Sequence, residues 1–186
     1  MKKLDFYSVD NFDSLSWPTN PELIGVDSPA LEVFTDFRVT QPLVIEANTL
    51  AIDAQKFMFH AHVRLKIVVD ENNHFLGLLS LDDLSTQEIV KHVSKGDRRE
   101  EMLVADFMRP KKDLQAFNYV AIQKASIMDV IQALKSAGQQ HCLVVDFQED
   151  KIRGIISASD ISRKLKLPLD IAMNSSFISI FNILHH

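Results

Sequence analysis

The sequence predicts an α+β fold made of two copies of one strand-helix-strand-strand-helix unit. The copies pack as a pseudo-twofold pair, with an N-terminal arm and a C-terminal helix. Three observations predict it. Two short, largely β-branched runs, residues 66–70 and 142–146, each end in Val-Val-Asp, and apolar runs of this length bounded by turn residues read as buried strands. Each run is followed by a turn and then by Gly-h-h-Ser-x-x-Asp, where h is apolar, once at 77–83 and once at 154–160. The copies also keep register. A shift of 76 residues carries Asp70 to Asp146 and pairs Val44 with Val120, Asp53 with Asp129 and Ala61 with Ala137. The shift becomes 77 from Gly77 to Gly154, because the second turn, 148–151, is one residue longer. Turns tolerate such insertions.

Composition bounds the remaining possibilities. The chain has 186 residues, enough for one or two small domains, and 46% of them are hydrophobic, which excludes a mostly disordered chain. Net charge is −5 with both signs interspersed, so no basic face points to nucleic acid. Five glycines are too few for a glycine-rich loop architecture. The single cysteine, Cys142, sits in an apolar run and reads as a small core residue; a reducing, cytoplasmic setting fits this usage. Residues 1–9 lack the apolar core of a signal peptide. No apolar stretch approaches the ~18–20 residues of a membrane span. The expectation is a soluble protein with no membrane partner.

Taken in order, residues 1–33 form an arm. Trp17-Pro18, Asn20-Pro21 and Ser28-Pro29 break regular structure, yet Phe6, Tyr7, Phe12, Leu15 and Trp17 are a heavy apolar load for a free tail. A short helix is expected near 30–34. The first repeat spans 34–84. It opens with a strand at 42–45, then a helix capped by Asn48 or Thr49 with Leu50, Ala54, Phe57, Met58 and Ala61 at helical spacing. Strands at 66–70 and 75–79 flank a turn at 71–74, and a second helix starts at Ser80. Residues 85–103 are a linker with a short helix carrying Ile89, Val90 and Val93, followed by the charged stretch 95–101. The second repeat spans 104–165: a lead-in at 104–108 closed by Arg109-Pro110, a strand at Val120, a helix with Ile127, Val130, Ile131, Leu134 and Ala137, the hairpin, and a helix to about Leu165. The tail, 166–186, breaks at Pro168 and carries Ile171, Phe177, Ile180, Phe181 and Leu184 on a C-terminal helix. A unit of about 60 residues is too long for most solenoids, so two sheets, each with a face to cover, are expected to pack on one another.

The order of motifs resembles the CBS domain, named after cystathionine β-synthase. The carriers are the two Val-Val-Asp strands, the two Gly-h-h-Ser-x-x-Asp motifs, and the lead-in Asp106-Phe-Met108-Arg-Pro110, which is similar to the family's Met-Thr-Pro opening. Phe34-Thr35-Asp36 looks like its degenerate counterpart. Two intact copies cover most of the chain, as in stand-alone tandem proteins of bacterial type. Two departures stand out: Arg109 takes the place of Thr, and 111–117 looks longer than usual before the strand expected at Val120. Either would alter the second site.

The resemblance implies a regulatory, energy-sensing module. It would bind an adenosine-containing ligand (AMP, ADP or ATP) between the repeats, signal to an unknown protein partner by conformational change, and form a homodimer. No cofactor is required and no catalysis is expected. By resemblance Asp83 and Asp160 accept hydrogen bonds from the ribose diol, as a carboxylate suits two vicinal donors. Ser80 and Ser157 meet ribose or phosphate, Gly77 and Gly154 open the motifs, and Val44, Ile45, Val120 and Ala121 line the base slots. His141 and Arg163 complete the candidate set, with Arg153, Lys164, Arg64 and Lys66 as further cations. Ser-x-x-Asp is also an ordinary capping box, and Ser126-Ile-Met-Asp129 shows the same pattern without the glycine. His60 and His62 are two apart and point apart on a helix, so with His74 they make no metal site. The alternative reading is a ligand-free interaction module acting through the N-terminal arm and the C-terminal helix.

Overall fold

The computed structural model describes residues 14–16, 24–135, 140–167 and 176–184. Of the arm, Leu15 is exposed, while Phe6, Tyr7, Phe12 and Trp17 lie outside the described residues, as do Ala137, Pro168 and Ile171. A 3-10 turn, Ala30–Val33, leads into β1 (Phe34–Asp36), β2 (Val44–Glu46), α1 (Ala51–His60), β3 (Leu65–Val69) and β4 (Phe75–Ser80). A second 3-10 turn, Asp82–Leu84, precedes α2 (Thr86–Val93). The second copy comprises α3 (Val104–Phe107), β5 (Arg109–Pro110), a 3-10 turn Lys111–Asp113, β6 (Ala116–Asn118), α4 (Tyr119–Ile122), α5 (Ile127–Leu134), β7 (His141–Asp146), β8 (Lys151–Ser157) and α6 (Ala158–Lys164). The C-terminal helix is α7 (Phe177–Leu184).

Among the described residues two four-stranded sheets form, ordered β2-β3-β4-β5 and β1-β8-β7-β6. The lead-in strand of each repeat has therefore crossed to the other repeat's sheet: β1 pairs antiparallel with β8, and β5 with β4. The period of two along the strands explains the apolar runs. Ile67, Val69 and Leu78 of one sheet meet Leu143 and Ile155 of the other in a layer between the sheets. Their sequence neighbours point outward under helices: Val68 and Leu79 against α1, and Val144 and Ile156 against α5. Strands buried on both faces read as continuous apolar runs rather than alternating ones.

Several expectations change. Helix α1 has no side-chain cap; the Ala51 N–H donates instead to the Met102 carbonyl at 2.8 Å, so a tertiary contact replaces Asn48 or Thr49. Ala51, Ala54 and Met58 are buried, whereas Phe57 is 57% exposed and Ala61 faces solvent. Past Ser80 the chain makes only the 3-10 turn. The α-helix starts at Thr86 under a Ser85 cap, with Ile89 buried and Val90 and Val93 exposed.

The strand expected at Val120 is β6, at Ala116–Asn118, and Val120 and Ala121 lie on α4. Ile45 faces Val68 and Phe117 faces Val144, so the strand register is 72, not 76. The difference of four is helix α4 itself, started by the Asn118 side chain accepting from the Val120 N–H at 2.9 Å. Nor is the lead-in longer: Val44 follows Asp36 by eight positions and Ala116 follows Pro110 by six.

The C-terminal helix packs inside its own chain. Phe177 and Ile180 are fully buried in the α5 core, with Phe181 and Leu184 against it. This removes the apolar face of that helix as a partner-docking surface.

Candidate ligand cleft

The glycines of the two motifs serve the strand exchange. A Cβ on Gly154 would strike the Thr35 carbonyl oxygen and the Phe34 ring of β1, and one on Gly77 would strike the Arg109 carbonyl oxygen of β5. These positions let a foreign strand cross close over β8 and β4.

The crossing strand is clamped. Arg153 on β8 donates to both carboxylate oxygens of Asp36 on β1 at 2.8 and 2.7 Å, and approaches Asp146 at 3.5 Å. Its guanidinium lies 4.3 Å from the Tyr119 ring centre, and Tyr119 on α4 meets Phe34 at 5.8 Å. The hydrogen bond from Arg153 holds the Asp36 carboxyl below its ordinary value, and Asp36 raises Arg153 in turn. Arg153 is thus a structural cation. Lys66 is also engaged, over the Phe57 ring at 4.8 Å and toward the Val44 carbonyl at 3.4 Å, and burial lowers its pKa.

The Ser-x-x-Asp motifs at 80–83, 126–129 and 157–160 all make capping geometry. The Asp129 N–H donates to the Ser126 hydroxyl at 3.1 Å, and the Ser126 hydroxyl and N–H donate to the Asp129 carboxylate at 2.7 and 2.8 Å. Ser80 and Asp83 repeat that pattern at 3.2, 2.6 and 2.7 Å. Ser157 and Asp160 share the hydroxyl bond at 2.8 Å and the N–H bond at 3.0 Å, and Asp160 additionally accepts from Arg163. What separates them is what the carboxylate faces.

Asp160 lies at the seam of a two-part cleft between the repeats. The apolar part, about 220 Å³, is walled by Pro42, Leu43, Leu65 and Ile67 of the first repeat and by Ile155, Ser157 and His141 of the second. The polar part, about 410 Å³, is bordered by Phe34, Asp36, Arg163 and Lys164. Thr35, Thr40 and Asp160 border both. Val44 and Ile45, expected in a base slot, border neither part: Ile45 packs toward the α1 core and Val44 is exposed, and the wall is formed by Pro42 and Leu43 just before them. Val120 and Ala121, carried on the exposed turn α4, border neither part.

The pseudo-twofold mate at Asp83 differs. Leu65 stands opposite Ser80 where His141 stands opposite Ser157, and Arg109 stands opposite Leu78 where Thr35 stands opposite Ile155. Residues directly opposite on paired strands share a face, so Arg109 enters the layer between the sheets on the Leu78 face, where its charge also reaches His141. Its Nε is buried with no hydrogen-bond partner among the described residues. Among those residues no cluster of three or more His, Cys, Asp or Glu could hold a metal, and no helix is long and apolar enough to cross a membrane. Cys142 is buried, which pushes its thiol up to about 11, away from thiolate chemistry.

A crossed pair of repeats with a cleft at their seam defines a class of protein. The family model described as CBS domain matches residues 30–87 and 104–167, and the chain belongs to that family. Solved structures agree on the fold. An uncharacterized conserved protein from Pyrococcus horikoshii superposes with a TM-score of 0.57 at 18% identity, covering 79% of this chain and 98% of that one. A conserved CBS domain protein of unknown function from Thermoplasma acidophilum gives 0.52 at 25%, covering 82% and 75%. CBSX2, a CBS-pair protein from Arabidopsis thaliana solved in complex with AMP, gives 0.51 at 22%, covering 73% and 94%. A search of curated proteins found no match.

Proposed function

We propose that this chain is a regulatory module that binds an adenosine phosphate in the cleft at Asp160. The observation that carries the reading is the two-part cleft itself. A carboxylate stands between an apolar slot and a polar mouth, where Arg163 and Lys164 offer cations beside Glu32 and Asp36, in the order base, ribose, phosphate. The Asp160 oxygens keep lone pairs for a vicinal diol beyond their bonds to Ser157 and Arg163. Arg163, whose side chain is largely exposed, can turn from Asp160 to a phosphate. The fold is shared with a CBS-pair chain solved with AMP, which supports the ligand class. Arg109 opposite Leu78 and Leu65 opposite Ser80, in place of Thr35 and His141, make the first motif's surroundings unlike the second's, which disfavours a second equivalent site. No cofactor is needed.

The walls come from both repeats, so a ligand spanning them changes how the repeats sit, and a protein partner reads that change. The outer helices expose Phe57, Phe59, Val90 and Val93, which supports a homodimer in solution; light scattering on the eluting protein checks it. Calorimetric titration with AMP, ADP, ATP and adenosine tests the ligand. Binding of at least one is expected; no heat and no thermal stabilisation with any of them refutes the reading.

A further inference from the structure

Among the described residues, His141 is the one side chain lining the apolar part of the cleft with a buried polar atom left unpaired. It is 8% exposed, and its Nδ1 is buried with no hydrogen-bond partner among the described residues. Pro42, Leu43, Leu65, Ile67 and Ile155 wall the cavity around it, Thr35, Thr40 and Gln41 also line it without a hydrogen bond to His141 Nδ1, and Ser157 is committed to Asp160. Buried polar atoms are nearly always paired, and a lone one in a cavity points to a partner that arrives from outside. Resting on the reading above, we infer that His141 Nδ1 reads the base by accepting a hydrogen bond from its exocyclic amine, making His141 the specificity-determining residue for adenine.

Three considerations set the polarity of that bond. Burial, and the nearby charge of Arg109, hold the imidazole down to about 4, against weaker opposing pulls from Asp160 and Asp82. The ring is therefore neutral at physiological pH and has one lone pair to offer. In the empty cleft an unpaired acceptor is better tolerated than an unpaired N–H, which favours the tautomer with the lone pair on Nδ1. A buried acceptor then demands a donor. The 6-amino group of adenine supplies one and the 6-oxo group of hypoxanthine does not. The discrimination comes chiefly from the ligand that leaves Nδ1 unpaired.

The test compares AMP with purine riboside 5′-monophosphate, which carries hydrogen in place of the amine, by calorimetry on the full chain. Wild type should prefer AMP by about tenfold, the loss of one buried hydrogen bond. His141→Leu should bind the two alike. Leucine is compatible with the site, since Leu65 holds the twofold-related position opposite Ser80; circular dichroism confirms folding. His141→Gln, whose amide oxygen can accept, should restore part of the preference. Equal binding of the two ligands by wild type overturns the inference while leaving the ligand class intact, and so does a preference that survives in His141→Leu. Failure of every adenosine ligand to bind overturns both.

Discussion

Gly154→Ala probes the strand exchange that builds the cleft. The new Cβ would lie against the Thr35 carbonyl oxygen and 2.6 Å from the Phe34 ring Cζ. The first of these is backbone in a paired strand and cannot rotate away. To clear it, β1 must lift from β8. That strains three register pairs, the two Arg153–Asp36 hydrogen bonds and the Phe34–Tyr119 contact. Overpacking alone typically costs 1–3 kcal/mol, and partial loss of the clamp places the variant at about 3 kcal/mol destabilised. In a chain of this size that corresponds to a fall in Tm of roughly 6–12 °C. Urea unfolding followed by circular dichroism measures it. Gly25→Ala is the control, since nothing lies within 4 Å of its would-be Cβ. If Gly154→Ala unfolds within about 0.5 kcal/mol of wild type, the ordinary scatter of surface changes, the close crossing of β1 is wrong.

Three further outcomes follow from the same contacts. Asp36→Asn should cost about 2 kcal/mol, less than loss of a buried pair because Asp146 remains near Arg153. The depressed Asp36 carboxyl contributes stability that is present above its unfolded value of 3.8 and lost as pH falls through its lower folded value, so an acid-unfolding series should show the gap between wild type and Asp36→Asn shrinking progressively as pH drops below 3.8. His141, neutral in the fold down to about pH 4 and protonated below about 6.5 when unfolded, makes stability fall with pH across that window. His141→Leu should flatten it, by up to about 3 kcal/mol at pH 4, in denaturant titrations at stepped pH. Phe177→Ala should cost about 3–5 kcal/mol, as for any large aromatic removed from a core. A loss below about 1 kcal/mol in urea unfolding would place α7 outside the core.

The repeat was legible because period and register are local properties. Val-Val-Asp at 76 residues' distance and the single insertion in the second hairpin turn locate β3, β4, β7 and β8 nearly to the residue. Val120 misled because the same shift extends an apolar pattern through an inserted turn. The cue was Asn118, a good N-cap just before Tyr119–Ile122, set against Phe117 as the true partner of Val144. Arg109 was visible as a departure, but where it enters depends on the crossing of β5, a long-range fact absent from any window. The role of Gly77 and Gly154 in close approach was hidden for the same reason. His141 stood out as a polar residue opening an apolar run; that its Nδ1 goes unpaired emerges only from the packing of the two sheets.

The claim that one cleft, at Asp160, takes the adenosine ligand is tested by titrating AMP into Asp160→Ala, Asp83→Ala and Asp129→Ala side by side. All three lose a helix-start contact, worth about 0.5–2 kcal/mol of stability, so capping alone affects them alike. Asp160→Ala should lose at least tenfold in affinity, while Asp83→Ala and Asp129→Ala stay within about threefold of wild type. Undiminished AMP binding by Asp160→Ala, or a loss confined to Asp83→Ala, would contradict it.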